Sequence, residues 1–76
     1  MQRRHFLVKE VEGDYQLKEL DPTIANAISL FGTITGQCHS VESIHWTFYF
    51  MNANVSAHRA DVIASQLTQN FLEGNL

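Results

Sequence analysis

The sequence predicts an α+β fold: a three-stranded antiparallel sheet with two helices on one face, in the order ββαβα. Three observations predict it. Residues 43–51 alternate Ile44, Trp46, Phe48 and Phe50 with His45, Thr47, Tyr49 and Met51, a period of two. After Ser56, the residues Ala60, Ile63, Ala64, Leu67 and Phe71 recur at helical spacing. Near the start, Glu12-Gly13-Asp14 separates two short runs rich in β-branched and aromatic residues, the pattern of a hairpin. Elements of this kind pack most simply as one layer of helix on one layer of sheet.

The first strand is read over residues 5–11 and the second over 15–20. A two-residue turn opening on Gly13 suits type II′, because glycine takes positive φ without a Cβ clash. That register puts Phe6 and Val8 on the face of Tyr15 and Leu17, and sets Lys9 opposite Lys18. A three-residue turn avoids the lysine pair but mixes the faces. Asp21-Pro22 then opens a helix, as N-cap and first helical residue. Its apolar stripe is Ile24, Ala27, Ile28 and Phe31, with Gly32 as the stop or Ile34 extending the helix towards Gly36. Residues 32–42 carry no clear pattern. The strand over 43–51 follows, with Ile44, Trp46, Phe48 and Phe50 as the heart of the core, and Asn52-Ala53-Asn54 breaks it. Ser56 caps a last helix running to about Glu73, and Gly74 terminates it.

With 76 residues the chain reads as one small globular domain, 1–76. Its 45% hydrophobic and 17% charged content excludes a disordered segment. A single cysteine, Cys38, excludes an internal disulfide framework. No apolar run approaches the roughly 20 residues of a membrane span, so the reading is a cytoplasmic protein with no membrane partner. Lys+Arg number 5 against 8 Asp+Glu, a net charge of −3. The positive charges, Arg3, Arg4, Lys9, Lys18 and Arg59, are scattered where phosphate tracking needs a basic stripe, so nucleic acid is disfavoured. A chain this short buries only about 60–65% of its unfolded surface. Small domains without disulfides or metals often gain stability by association, so a homo-oligomer or a bound partner is expected.

Arg3-Arg4-His5-Phe6-Leu7 resembles a twin-arginine export motif, over those residues alone. An export signal needs an apolar stretch behind the arginines. Lys9, Glu10, Glu12 and Asp14 follow instead, so the arginines are read as opening a strand. Asn54-Val55-Ser56 matches a glycosylation sequon and is read as a turn into the last helix.

Chemistry is sparse. Structural zinc needs ligands in close-spaced pairs, and neither Cys38-His39 nor the separated His5, His45 and His58 supplies them. A Cys38 nucleophile paired with His39 or His45 lacks a third orienting group and an oxyanion hole. Glu10, Glu12, Asp14 and Glu19 cluster at a hairpin, without the burial that tunes a general acid. Gly32-Thr33-Ile34-Thr35-Gly36 lacks the lysine and spacing of a phosphate loop. The chain is read as non-enzymatic, with no metal and no cofactor.

Two surfaces are then singled out for binding. The sheet face turned away from the helices holds Leu7, Lys9, Val11, Lys18, His45, Thr47, Tyr49 and Met51, which is too apolar for a solvated face. The outer face of the last helix carries His58, Val62, Ser65, Gln66 and Gln69, with little charge. The chain as a whole has 13 charged residues against 20 of Ser, Thr, Asn and Gln. Such neutral polar groups are cheaper to desolvate than charges. The function expected is a regulator or inhibitor that binds another protein, a type common among accessory factors of viruses and mobile elements. The alternatives are a homo-oligomeric structural subunit and a weak single-strand nucleic-acid binder that stacks bases on Tyr49 and His45.

Overall fold

A computed structural model of the protein describes residues 2–29, 33–39, 44–51 and 55–74. Six elements follow in order: β1 (Gln2–Val11), β2 (Asp14–Leu20), α1 (Pro22–Ser29), β3 (Ile34–His39), β4 (Ile44–Phe50) and α2 (Ala57–Leu72). The α+β class holds. The order is ββαββα, and the sheet is four-stranded and mixed, arranged β2-β1-β4-β3, in place of the expected three-stranded antiparallel one.

The hairpin turns on Glu12-Gly13. Both residues have positive φ, 53° and 88°, which makes a primed turn matched to the strand twist. Val11 therefore faces Asp14, Lys9 faces Gln16 and Leu7 faces Lys18, so the expected Lys9–Lys18 pair does not form. The slip from the expected register is an even number of residues, which preserves faces. Phe6 and Val8 still share a side with Tyr15 and Leu17.

The unexpected strand is β3, which pairs antiparallel with β4 so that Gly36 faces Phe48 and Cys38 faces Trp46. It reverses the chain once more, so β4 runs parallel to β1, with Phe6 beside Phe48. A Cβ on Gly36 would run into the Ala60 carbonyl of α2, whose carbon lies at 2.6 Å, and would sit 3.1 Å from the Ala64 Cβ. Glycine here lets the helix lie directly on the strand. Beneath α2, Phe6, Val8, Trp46, Phe48 and Phe50 pack on Ala60, Ile63, Ala64 and Leu67. This is most of the core the sequence predicts, with Ile44 and Phe71 only half-buried at its margin, and each large side chain in it contributes about 1.5–3 kcal/mol by leaving water.

The second helix position is a correction. α1 lies on the opposite face from α2, where Leu20, Ala25 and Tyr49 are buried with Leu7 and Ile28 against them. The cause is β2 itself: its last residue, Leu20, points to that face, so the chain enters α1 already on that side. Ala25 rather than Ile24 faces inward, and Ile24 stays 53% exposed. Ala27 is exposed as well. Phe31, Gly32 and Asn52-Ala53-Asn54 lie outside the described residues.

The caps form as the sequence predicts. Asp21 Oδ1 accepts from the Thr23 N–H at 2.8 Å, and Ser56 Oγ accepts from the Arg59 N–H at 3.2 Å. Gly74, at φ 76°, follows the end of α2. Among the described residues no helix is long and apolar enough to cross a membrane.

Candidate interaction surfaces

The two edges of the sheet, β2 and β3, are finished differently. At β3 the helix α2 lies over the strand, and Asp61 Oδ1 accepts the outward Gln37 N–H at 2.9 Å. Among the described residues, no element packs over β2 in this way. In a hairpin closed by a two-residue turn, the closing pair exchanges hydrogen bonds and every second pair after it does the same. With Val11 facing Asp14, residues Asp14, Gln16, Lys18 and Leu20 bond inward to β1. The backbone groups of Tyr15, Leu17 and Glu19 point out. No hydrogen bond to their N–H groups occurs among the described residues.

Beside this edge, on the α2 side, runs a groove of about 580 Å³ lined by Arg4, Phe6, Tyr15, Gln16, Leu17, Glu19 and Phe71. Arg4 is its centre. The guanidinium carbon sits 5.1 Å from the Phe6 ring centre, 4.7 Å from Trp46 and 4.8 Å from Phe71. Nε and Nη2 donate to the two carboxylate oxygens of Glu19, each at 2.8 Å. The hydrogen bond from Arg4 lowers the pKa of Glu19 below the usual carboxylate range, against an opposing effect of desolvation. The rings brace one another: Phe6 stacks on Trp46 and on Phe48 at 5.4 Å, and Phe71 meets Trp46 edge-on at 5.3 Å. Arginine planes held among aromatics are the residue types that anchor protein interfaces.

No protein family matches the chain, and neither a curated protein nor a solved structure is significantly similar to it.

Of the residues singled out on the sheet, all but Met51 share one face, as the pairing registers show. They do not form an open patch, because α1 covers its middle. Tyr49 is only 5% exposed, with Leu7 packed beside it, and Thr47 is buried. The Tyr49 hydroxyl lies 2.9 Å from His5 Nδ1, and burial raises its pKa. Leu7, Thr47 and Tyr49 are therefore structural, and the stacking platform of the nucleic-acid alternative goes with Tyr49. Lys9 and Lys18 remain exposed around the rim, with Val11 and His45 half-buried. Met51 is exposed past the end of β4, beside Val8, Phe50 and Val55. His45 Nε2 lies 3.0 Å from Gln37 Oε1.

On α2, His58, Ser65, Gln66 and Gln69 are exposed and Val62 is half-buried. No charged residue occurs between Asp61 and Glu73. Cys38 is a half-buried cysteine packed against the main core. Among the described residues no three His, Cys, Asp or Glu side chains gather to a common point.

Sequence reasoning missed the groove. Arg4 was legible only as one of two strand-opening arginines, and its partners lie on β2, β4 and α2. The one available signal was Arg4 falling two residues before Phe6 in a strand, which puts both on the same side.

Proposed function

We propose that the protein is a small, non-enzymatic, cytoplasmic regulator or inhibitor that binds another protein through the groove beside β2. One observation carries this reading: an open strand edge runs alongside an apolar groove centred on an arginine already held in place by three rings. Backbone groups on such an edge supply affinity to an added segment, and the side-chain groove supplies selectivity. Preformed anchors lose little conformational freedom on binding. The neutral outer face of α2, with Gln66 at its centre, is a second contact surface. The alternative, a homo-oligomeric subunit, is favoured by the same open edge.

Immobilised protein exposed to a nuclease-treated lysate tests the proposal, with wild type beside the Tyr15→Ala/Phe71→Ala pair and beside Gln66→Arg. Retention of one protein that is lost with the groove pair supports it, provided thermal unfolding shows the variants folded. A protein lost only with Gln66→Arg transfers the contact to α2. Recovery of nothing but the chain itself sinks the regulator reading and leaves the subunit.

A further inference from the structure

We infer that β2 pairs antiparallel with β2 of a second copy, about a two-fold axis at Gln16, joining two four-stranded sheets into one. The inference rests on reading the β2 side as an interface, and it names one occupant of the edge.

Backbone geometry limits the choices. Only Tyr15, Leu17 and Glu19 offer outward bonding groups, so these must face one another across the new ladder. Three symmetric registers within the strand pair two or more of these residues. Centred on Lys18, the register sets Lys18 against Lys18, a direct repulsion. Centred on Leu17, it sets Tyr15 against Glu19 and Asp14 against Leu20. Centred on Gln16, it pairs Tyr15 with Leu17 of the second copy, twice, on the groove side. On the other side it pairs Asp14 with Lys18 of the second copy, twice, around Gln16 facing Gln16. Apolar meets apolar and opposite charges meet, so this register alone is self-complementary on both faces.

The charges are free to act this way. Asp14 and Lys18 lie four residues apart on one strand, roughly 13 Å, too far to pair within a copy. Both are exposed, and neither makes an ion pair among the described residues, whereas Glu19 is held by Arg4. An exposed lysine in an edge strand normally discourages strand addition. Here Asp14 of the second copy neutralises it, so the same lysine that rejects other strands admits this one.

Two structural consequences follow. The axis stands perpendicular to the sheet, so both α2 helices stay on one side and the two grooves meet across Tyr15 and Leu17. The outer edges of the joined sheet are both β3, the edge that α2 and Asp61 already cover.

Sedimentation velocity of the full chain over a wide concentration range tests the pairing. The expected result is a monomer–dimer equilibrium that Lys18→Asp weakens by roughly tenfold or more, since two attractive pairs become repulsive. The double exchange Asp14→Lys with Lys18→Asp should restore it. Amide exchange at Tyr15 and Leu17 should slow as concentration rises. A chain that stays monomeric throughout overturns the inference, and so does a dimer indifferent to Lys18→Asp or one that the double exchange leaves broken. Circular dichroism confirms that each variant is folded. A monomer that still captures a partner lost with Tyr15→Ala/Phe71→Ala removes the dimer and leaves the binding reading. A dimer that captures nothing does the reverse.

Discussion

Gly36 of β3 and Ala60 of α2 touch backbone to backbone, with no room between them for a single methyl group. That contact sets how closely the helix lies on the strand, and through the helix it sets where Phe71 meets Arg4.

Gly36→Ala should destabilise the protein by about 2 kcal/mol or more, the upper part of the usual overpacking range. The obstacle is a main-chain carbonyl, so Ala64→Gly should not restore stability. Urea unfolding of the single and double variants measures this, and a Gly36→Ala protein as stable as wild type would show that the helix yields easily.

Glu12 holds positive φ in the hairpin turn, a conformation that costs a residue with a Cβ about 1–2 kcal/mol. Asn-Gly is the preferred pair for this turn. Glu12→Asn should therefore stabilise the protein by about 0.5–1 kcal/mol and raise its melting temperature. Calorimetry on the two proteins decides it.

Arg4→Lys keeps the charge and loses both the planar stacking and the forked hydrogen bond to Glu19. The expected loss is about 1 kcal/mol. The pH dependence has a definite sign. Arg4 lowers the folded-state pKa of Glu19 below its unfolded value. The resulting stabilisation is complete above the unfolded pKa and disappears as the pH falls through the folded one. The stability gap between wild type and Glu19→Gln should be constant near neutrality and close in acid. A gap that persists in strong acid would place the effect in packing alone.

Tyr49 behaves oppositely, because burial raises its pKa from 10.0. Its neutral form is favoured by folding, so that contribution is intact below about pH 10 and is lost as the pH climbs above it. Tyr49→Phe should cost about 1 kcal/mol at neutral pH by leaving His5 Nδ1 without the hydroxyl. It should also flatten the alkaline fall in stability. Ultraviolet titration, as the difference between wild type and variant, reports the ionisation of Tyr49 directly.

Much of this architecture is written locally. The period of two in β4, the helical spacing of Ala60, Ile63, Ala64 and Leu67, and the caps Asp21 and Ser56 each depend on residues a few positions apart, and all stand in the structure. Face membership in the hairpin is the same in the expected and observed registers, because side chains alternate with a period of two. Three features were decided elsewhere. β3 carries little local signature, because Gly36 stands where an apolar side chain would signal a strand, and the reason for glycine is a helix formed later in the chain. An apolar stripe tells α1 to be covered but does not say by which side of the sheet. Leu20 and Tyr49 settled that, and with it the burial of Thr47 and Tyr49 in the middle of the expected sheet surface. The groove exists only because β1, β2 and α2 bring Arg4, Glu19 and Phe71 together, with Trp46 of β4 packed against the Arg4 guanidinium. Spacing along a chain dictates which side of an element is apolar, while the partner of that side is selected by packing among segments that sequence neighbours cannot sense.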